Sequence, residues 1–529
     1  MIFHLLPFNL RLSACAAVAV LALSLAPSLS GASVADKTGV AWLPAGTNAD
    51  IARAFAQARG EKKPVLLYWG AAWCPPCNQL KATLFNRQDF IARSRSFVAV
   101  NVDGDLPGAQ QLGARFKVRG YPTMILFNPE GAELTRLPGE ADAVQVMQVM
   151  DLGLAGGRAV KSVLADALAG KTLSANEWRL LAFYSWDTDE QQLAPPGDLP
   201  GLLVQLAIAA PSSDADTGTR LWLKALAASN EGAGLKADAA MRERVLAVLA
   251  DPKAARVQMD VLVNGAANIV STLSDGADKR ALLGHYDVML QGLQRDATLS
   301  RADRINAANA RIALARLDLP KDAVQVRAQL PAALLSSVRE QVARDDREIS
   351  NGYERQAVIT EGAYALAQAG LWKESDALLK TNLVRSHSPY YLMSQLAGNA
   401  RKQGRKDEAL KWYEQAFNKS EGPATRLQWG AGYLGALVDL APTDAVRIEN
   451  TVAQLLREAA QDKSAFYERS ARSLQRVGAK LASWNAGGQY GAVLTRLKTQ
   501  LDGICVKVDQ ADKQRATCEG LIRTVQTKG

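Results

Sequence analysis

Trp73-Cys74-Pro75-Pro76-Cys77 follows closely on the apolar run Val65-Leu66-Leu67-Tyr68-Trp69, and this stretch decides the fold. Two cysteines two residues apart, just after a strand, read as a thiol–disulfide redox pair. The helix begins inside the motif and runs through Asn78-Gln79-Leu80-Lys81. That puts Cys74 at a helix N-terminus, where unpaired N–H groups and the helix dipole favour a thiolate nucleophile. Cys77 falls one turn further in, buried, where it resolves a mixed disulfide formed on Cys74. A structural zinc site needs four ligands, and no second cysteine pair or histidine lies near in sequence; the histidines are His4, His285 and His387. A purely structural bridge over two residues constrains little chain entropy.

A second element follows downstream. Arg119-Gly120-Tyr121-Pro122-Thr123 precedes the apolar run Met124-Ile125-Leu126-Phe127. A proline opening a strand donates nothing to the ladder, and a cis X–Pro bond turns the chain tightly. With Trp-Cys-x-x-Cys and then Gly-Tyr-Pro-Thr ahead of a strand, residues from about 48 to 155 resemble the thioredoxin superfamily. The resemblance implies a cis Pro122 and a substrate groove lined by Trp73, Tyr121 and Pro122. The chain departs from the family at the sixth residue before Cys74. A buried acid is usual there, and this chain carries Tyr68, whose phenol titrates near ~10 and is a poor base at neutral pH. The Pro-Pro dipeptide resembles exported reductases of the cytochrome-maturation type.

The pattern around the motif alternates helix and strand. It predicts a helix over 49–59, strands over 65–69 and 97–102, and a helical piece capped by Asn86. Asp103-Gly104-Asp105 closes the second strand. A helix over 112–116 follows, then strands over 123–127 and 132–136 joined by the turn Asn128-Pro129-Glu130-Gly131. A helix over about 140–153 ends the unit. This order predicts an α/β thioredoxin-like domain, a mixed central sheet with flanking helices, over residues 36–155.

Residues 1–32 read as a secretory signal, with Arg11 before the apolar run Leu12–Ala26 and cleavage after Ala32 or Ala35. The run is too short to span a bilayer; an uncleaved anchor is the alternative. Cys15 leaves with the signal, and the mature chain keeps Cys74, Cys77, Cys505 and Cys518. An even count in an exported, periplasm-type setting permits two disulfides. Cys505 and Cys518 flank a short hairpin around Asp509-Gln510-Ala511-Asp512 and are expected to form a structural bridge.

Past Gly157 alanine and leucine dominate and apolar positions recur at helical spacing. The 529 residues, 48% of them hydrophobic and 22% charged, exceed one ordinary core. Residues 156–529 are expected to form a large all-α solenoid. Gly370 and Gly404 are 34 residues apart, as are Pro389 and Pro423. That is the tetratricopeptide period, and residues 356–423 resemble a pair of such repeats. An irregular helical bundle is the alternative. Arg401, Lys402, Arg405 and Lys406 form a basic turn, read as solvated or as a contact for an acidic partner.

These readings predict an exported thiol–disulfide oxidoreductase, reducing protein disulfides through Cys74 and Cys77 while the helical repeats hold a protein partner. A membrane thiol–disulfide relay is the expected electron partner. No flavin or nicotinamide fingerprint is present, so no cofactor is expected, and no nucleic-acid motif accompanies the net charge of +9. The alternatives are a protein-interaction scaffold with a redox-sensing domain, and a disulfide oxidase or isomerase.

Overall fold

The computed structural model describes residues 39–522, except residues 140–141, 190–191, 196, 230–234, 236, 274–275 and 320–328. The secretory reading of residues 1–32, with Arg11 and Cys15, lies outside the described residues.

The first part of the described chain runs β1 (Leu43–Pro44), α1 (Asn48–Glu61), β2 (Val65–Gly70), α2 (Pro75–Thr83), α3 (Gln88–Arg93), β3 (Val98–Asp103), α4 (Ala109–Phe116), β4 (Thr123–Phe127), β5 (Glu133–Leu137) and α5 (Ala143–Leu154). The sheet order is β1-β3-β2-β4-β5. β3 is parallel to β1 and β2, and β4 is antiparallel to β2 and β5. Central β2 is buried along its whole length, as a strand covered on both faces must be. Val65, Leu67 and Trp69 pack with Ile51 and Phe55 of α1 and Leu112 of α4. Leu66 and Tyr68 point the other way, onto Leu80 of α2 and Val146 and Met150 of α5. The period-2 alternation of β2 thus separates two cores.

Local chemistry sets the boundaries. Thr47 and Asp50 form a capping box at the start of α1, and Pro75 and Pro76 occupy the first turn of α2, where their missing N–H groups are not needed. Two boundary readings change. The residue before α3 is Arg87, with no side-chain cap, so Asn86 is not the cap. The short edge strand β1 was not foreseen, because two residues carry no periodic signal.

After α5 every regular element among the described residues is a helix. The stretch after the second of these helices, Ala175–Phe183, is tied back to the sheet by Arg136 of β5, whose side chain is fully buried. Its guanidinium donates to Glu133 Oε1 and Oε2 and to the carbonyls of Lys117, Thr188 and Phe116. All five donors are thereby used. Further on, helices follow in pairs: Gly352–Gln368 with Trp372–Asn382, Pro389–Lys402 with Lys406–Lys419, and Pro423–Leu440 with Ala445–Ala459. Pro389 and Pro423 each open a helix, and Gly370 and Gly404 follow helix ends in the left-handed region. In the basic turn, Arg401 pairs with Asp439 and Arg405 with Asp376 and Glu408. Near the C-terminus Cys505 is bonded to Cys518 with the Cα atoms 5.7 Å apart, inside the core of the last helices. No helix among the described residues is long and apolar enough to cross a membrane.

Candidate active site

Cys74 is the N-cap of α2, and its Sγ accepts the N–H of Cys77 at 3.2 Å. The two cysteines form a disulfide with Cα atoms 5.2 Å apart. The Tyr121–Pro122 peptide bond is cis. Cys74, Cys77 and Ala71 cluster with the rings of Trp73 and Tyr121 packed against them. Asn78 of α2 stiffens the turn, its Nδ2 donating to the carbonyls of Ala72 and Cys74, each at 2.8 Å.

The sequence reading expects an open groove at Trp73, Tyr121 and Pro122. The structure lays the helical region across it. Cys74 is 2% exposed and Cys77 0%. Trp73 stacks on Tyr391, with centroids 5.8 Å apart and planes at 16°, and meets Trp429 edge-on at 5.2 Å. Its indole N–H is shared between Asp105 Oδ2 at 3.0 Å and Thr425 Oγ1 at 2.8 Å. The Arg469 guanidinium lies 5.2 Å from the ring centres of both Trp73 and Tyr121, within cation–π range. A cavity of about 120 Å³ remains between these groups, lined by Trp69, Trp73, Gln110, Tyr121, Glu468 and Arg469 among others.

Helix α2 is held from its other side. Gln79 Nε2 donates to Asp303 Oδ1 at 2.7 Å, at the start of helix Arg301–Ala315. Lys81 lies over the Tyr353 ring at 5.3 Å, at the start of helix Gly352–Gln368. His387, remote in sequence, places Nε2 3.1 Å from the carbonyl of Ala72. Burial holds its imidazole below the ordinary value, opposed by the Ala72 bond.

Tyr68 occupies the place of the usual acid. Its ring folds over Gly70, where an added Cβ would lie 2.4 Å from the hydroxyl. The hydroxyl is buried with no hydrogen-bond partner, and burial, reinforced by the charge of Asp103, pushes its pKa up. Tyr68 is therefore no proton acceptor for Cys77 near neutral pH. Asp103, at the end of β3 opposite Gly70, is itself pushed up by burial, and Lys81 is pulled down by it.

The geometry is a disulfide at a helix N-terminus facing a cis-proline loop on a mixed five-stranded sheet. A family profile described as "Thioredoxin-like domain" matches residues 51–153. Residues 51–153 are a thioredoxin-like domain. The chain is similar to "Thiol:disulfide interchange protein DsbD 2" of Pseudomonas aeruginosa, 33% identical over 107 residues, which are 20% of this chain and 18% of that protein. It is also similar to "Thiol:disulfide interchange protein DsbD" of Pseudomonas fluorescens, 31% identical over 104 residues, 19% of this chain and 18% of that protein. The chain thus spans less than a fifth of the curated relatives it matches. Among solved structures, thioredoxin O1 of Arabidopsis thaliana in its oxidised state is 20% identical and is covered to 95% by 21% of this chain, with a TM-score of 0.18.

Proposed function

We propose that the protein is a thiol–disulfide oxidoreductase that reduces disulfides in other proteins. The observation that supports this most is the Cys74–Cys77 pair at the start of α2, beside the cis Tyr121–Pro122 bond. In the reduced protein the Cys74 thiolate attacks a substrate disulfide and expels one substrate sulfur as a thiolate. Cys77, having lost its proton, attacks Cys74 Sγ and releases the second. The Cys74–Cys77 disulfide forms, and two electrons and two protons have passed to the substrate. Trp73, Tyr121 and Pro122 form the substrate-facing rim in this reading. The partial resemblance to thiol:disulfide interchange proteins supports a relay that returns electrons to the pair, and a membrane dithiol outside the cytoplasm is the proposed donor. The paired helices, with Gly370 and Gly404 at equivalent ends, support tetratricopeptide-like repeats holding a protein partner. Cys505–Cys518 serves as a structural staple.

Trapping tests the roles. Cys77→Ser leaves an attacking thiol without a resolving partner, so mixed disulfides with substrate proteins accumulate, visible as adducts that dissolve on reduction. Cys74→Ser traps none. Adducts formed only by Cys74→Ser would reverse the roles, and none with either variant would remove the exchange reading. Coverage of the pair by the helical region favours one second reading, a scaffold whose thioredoxin-like domain senses redox state. It predicts one stable partner and little turnover of a generic protein disulfide.

A further inference from the structure

Trp73 and Tyr121 pack against the disulfide, and both rings are held by one group from the helical region, Arg469. Arg469 forms an ion pair with Asp105, in the loop after β3, and both side chains are largely buried. Thr425 Oγ1 donates to Asp105 Oδ1 at 2.5 Å. The Arg469 N–H donates to Gln110 Oε1 at 2.9 Å, and Gln110 Nε2 donates to the Tyr121 hydroxyl at 3.1 Å. Asp105 is therefore a hub that receives Trp73 from its own domain and Thr425 and Arg469 from two helices more than 300 residues away.

Two backbone features show how closely these parts are pressed together. Gly422, just before helix Pro423–Leu440, has φ +82°, and a Cβ there would lie 2.5 Å from Asp105 Cβ. Glu468, the first residue of helix Glu468–Trp484, is a non-glycine residue at φ 41°. Such backbone strain persists only where surrounding contacts hold it. It sits beside Arg469, at the contact with α4.

We propose that the helical region is a cap built into the chain over the Cys74–Cys77 pair, and that the Asp105–Thr425–Arg469 latch determines which thiols reach Cys74. Releasing the latch frees the Tyr467–Arg469 turn and loosens Trp73, which keeps its contacts with Tyr391 and Trp429, so the opening is local. Arg136 and Gln79 of the domain donate to Thr188 and Asp303 of the helical region, away from the latch, and keep the two parts together. The inference rests on Cys74–Cys77 being the exchanging pair, and its test does not depend on the physiological substrate.

The experiment uses the full chain in its oxidised form and dithiothreitol as the reductant. A dithiothreitol thiolate attacks Cys74 Sγ, Cys77 leaves as a thiolate, and the second reagent thiol closes a ring and frees Cys74. The reagent is oxidised and the pair gains two electrons. Progress is read as the mass gained on alkylating the freed thiols. Arg469→Met and Asp105→Asn each remove a charge-assisted contact and should speed reduction on the order of ten- to a hundredfold. Thr425→Val, nearly isosteric, should speed it by a smaller factor and reads the same latch if a charge variant loses its fold. The equilibrium of the pair with glutathione should stay as in the unaltered protein. Equal rates in the folded variants and the unaltered chain overturn the proposal. So does a rate gain matched by an equal shift in the glutathione equilibrium, which would place the effect on the disulfide rather than on access. Faster reduction in these variants, together with no adducts from Cys77→Ser, would leave the cap standing and remove the proposed function.

Discussion

Glu361→Gln tests the electrostatics beneath the ring that stacks on Trp73. Glu361 lies in helix Gly352–Gln368, and its charge acts on Tyr391. Burial raises its pKa from 4.5 to about 7. Asn309 Nδ2 donates to its Oε2 at 3.3 Å, one long bond against the loss of hydration. The sign follows from proton binding. Between 4.5 and about 7 the folded chain holds a proton that the unfolded chain has released, so stability falls as pH rises through this window. The loss is complete above the folded pKa and amounts to up to about 3 kcal/mol, at roughly 1.4 kcal/mol per pKa unit. Glutamine keeps the shape and does not titrate. Urea unfolding followed by circular dichroism at pH 4.5, 6, 7 and 8 should show the variant gaining on the unaltered protein by up to about 3 kcal/mol across the series. Taking the difference cancels every other titrating group. A difference that stays constant with pH would refute the assignment of a strained carboxylate to Glu361.

Two further outcomes concern stability. Arg136→Met leaves Glu133 without its guanidinium and takes a donor from the carbonyls of Phe116, Lys117 and Thr188, and should cost about 3–5 kcal/mol in chemical denaturation; a loss below about 1 kcal/mol would show that water replaces these bonds. The double variant Cys505→Ser/Cys518→Ser opens a loop with a sequence separation of 13 and should lose about 3 kcal/mol on chain-entropy grounds, read as a lower urea midpoint under non-reducing conditions. An unchanged midpoint would mean that packing of the last helices alone holds that end.

The thioredoxin-like fold was legible because its signals are local. Val65–Gly70 is an unbroken apolar run, Cys74 and Cys77 stand at a helix start, and Tyr121–Pro122 stands at a strand start. The helical texture after Gly157 was legible from periodicity for the same reason. Neither kind of signal says which surfaces meet. Asp105 reads in sequence as a loop residue closing a strand, and Thr425, Trp429 and Arg469 read as ordinary helix positions. Their contact with Trp73 spans more than 300 residues, which no period or spacing encodes. His387 shows the same limit. Sequence distance set it apart from the cysteines, and the fold brings it to the carbonyl of Ala72.

The missing acid and the covered disulfide are consistent with one another. A carboxylate at position 68 would stand in a packed layer, where Tyr68 meets Trp42 at 5.7 Å and Phe85 at 4.8 Å between ring centres, and an unpaired charge there is costly. An open active site lets water offset part of that cost. Here the rim is closed by Trp73 and Tyr121, and an uncharged ring replaces the cost of a charge with the smaller one of a single unpaired hydroxyl. The oxidised pair is uncharged too, so the closed arrangement needs no counter-charge beneath it. Reduction changes this balance, because a thiolate at Cys74 is favoured by the start of α2 and disfavoured by dry surroundings. The N-terminal dipole is a fixed feature of α2, whereas the approach of a thiol to Cys74 depends on contacts made by Asp105, Thr425 and Arg469. The latch is thus the adjustable member of the two. The same three side chains therefore set how readily a thiol reaches the sulfur, and leave the balance between the oxidised and reduced pair to α2.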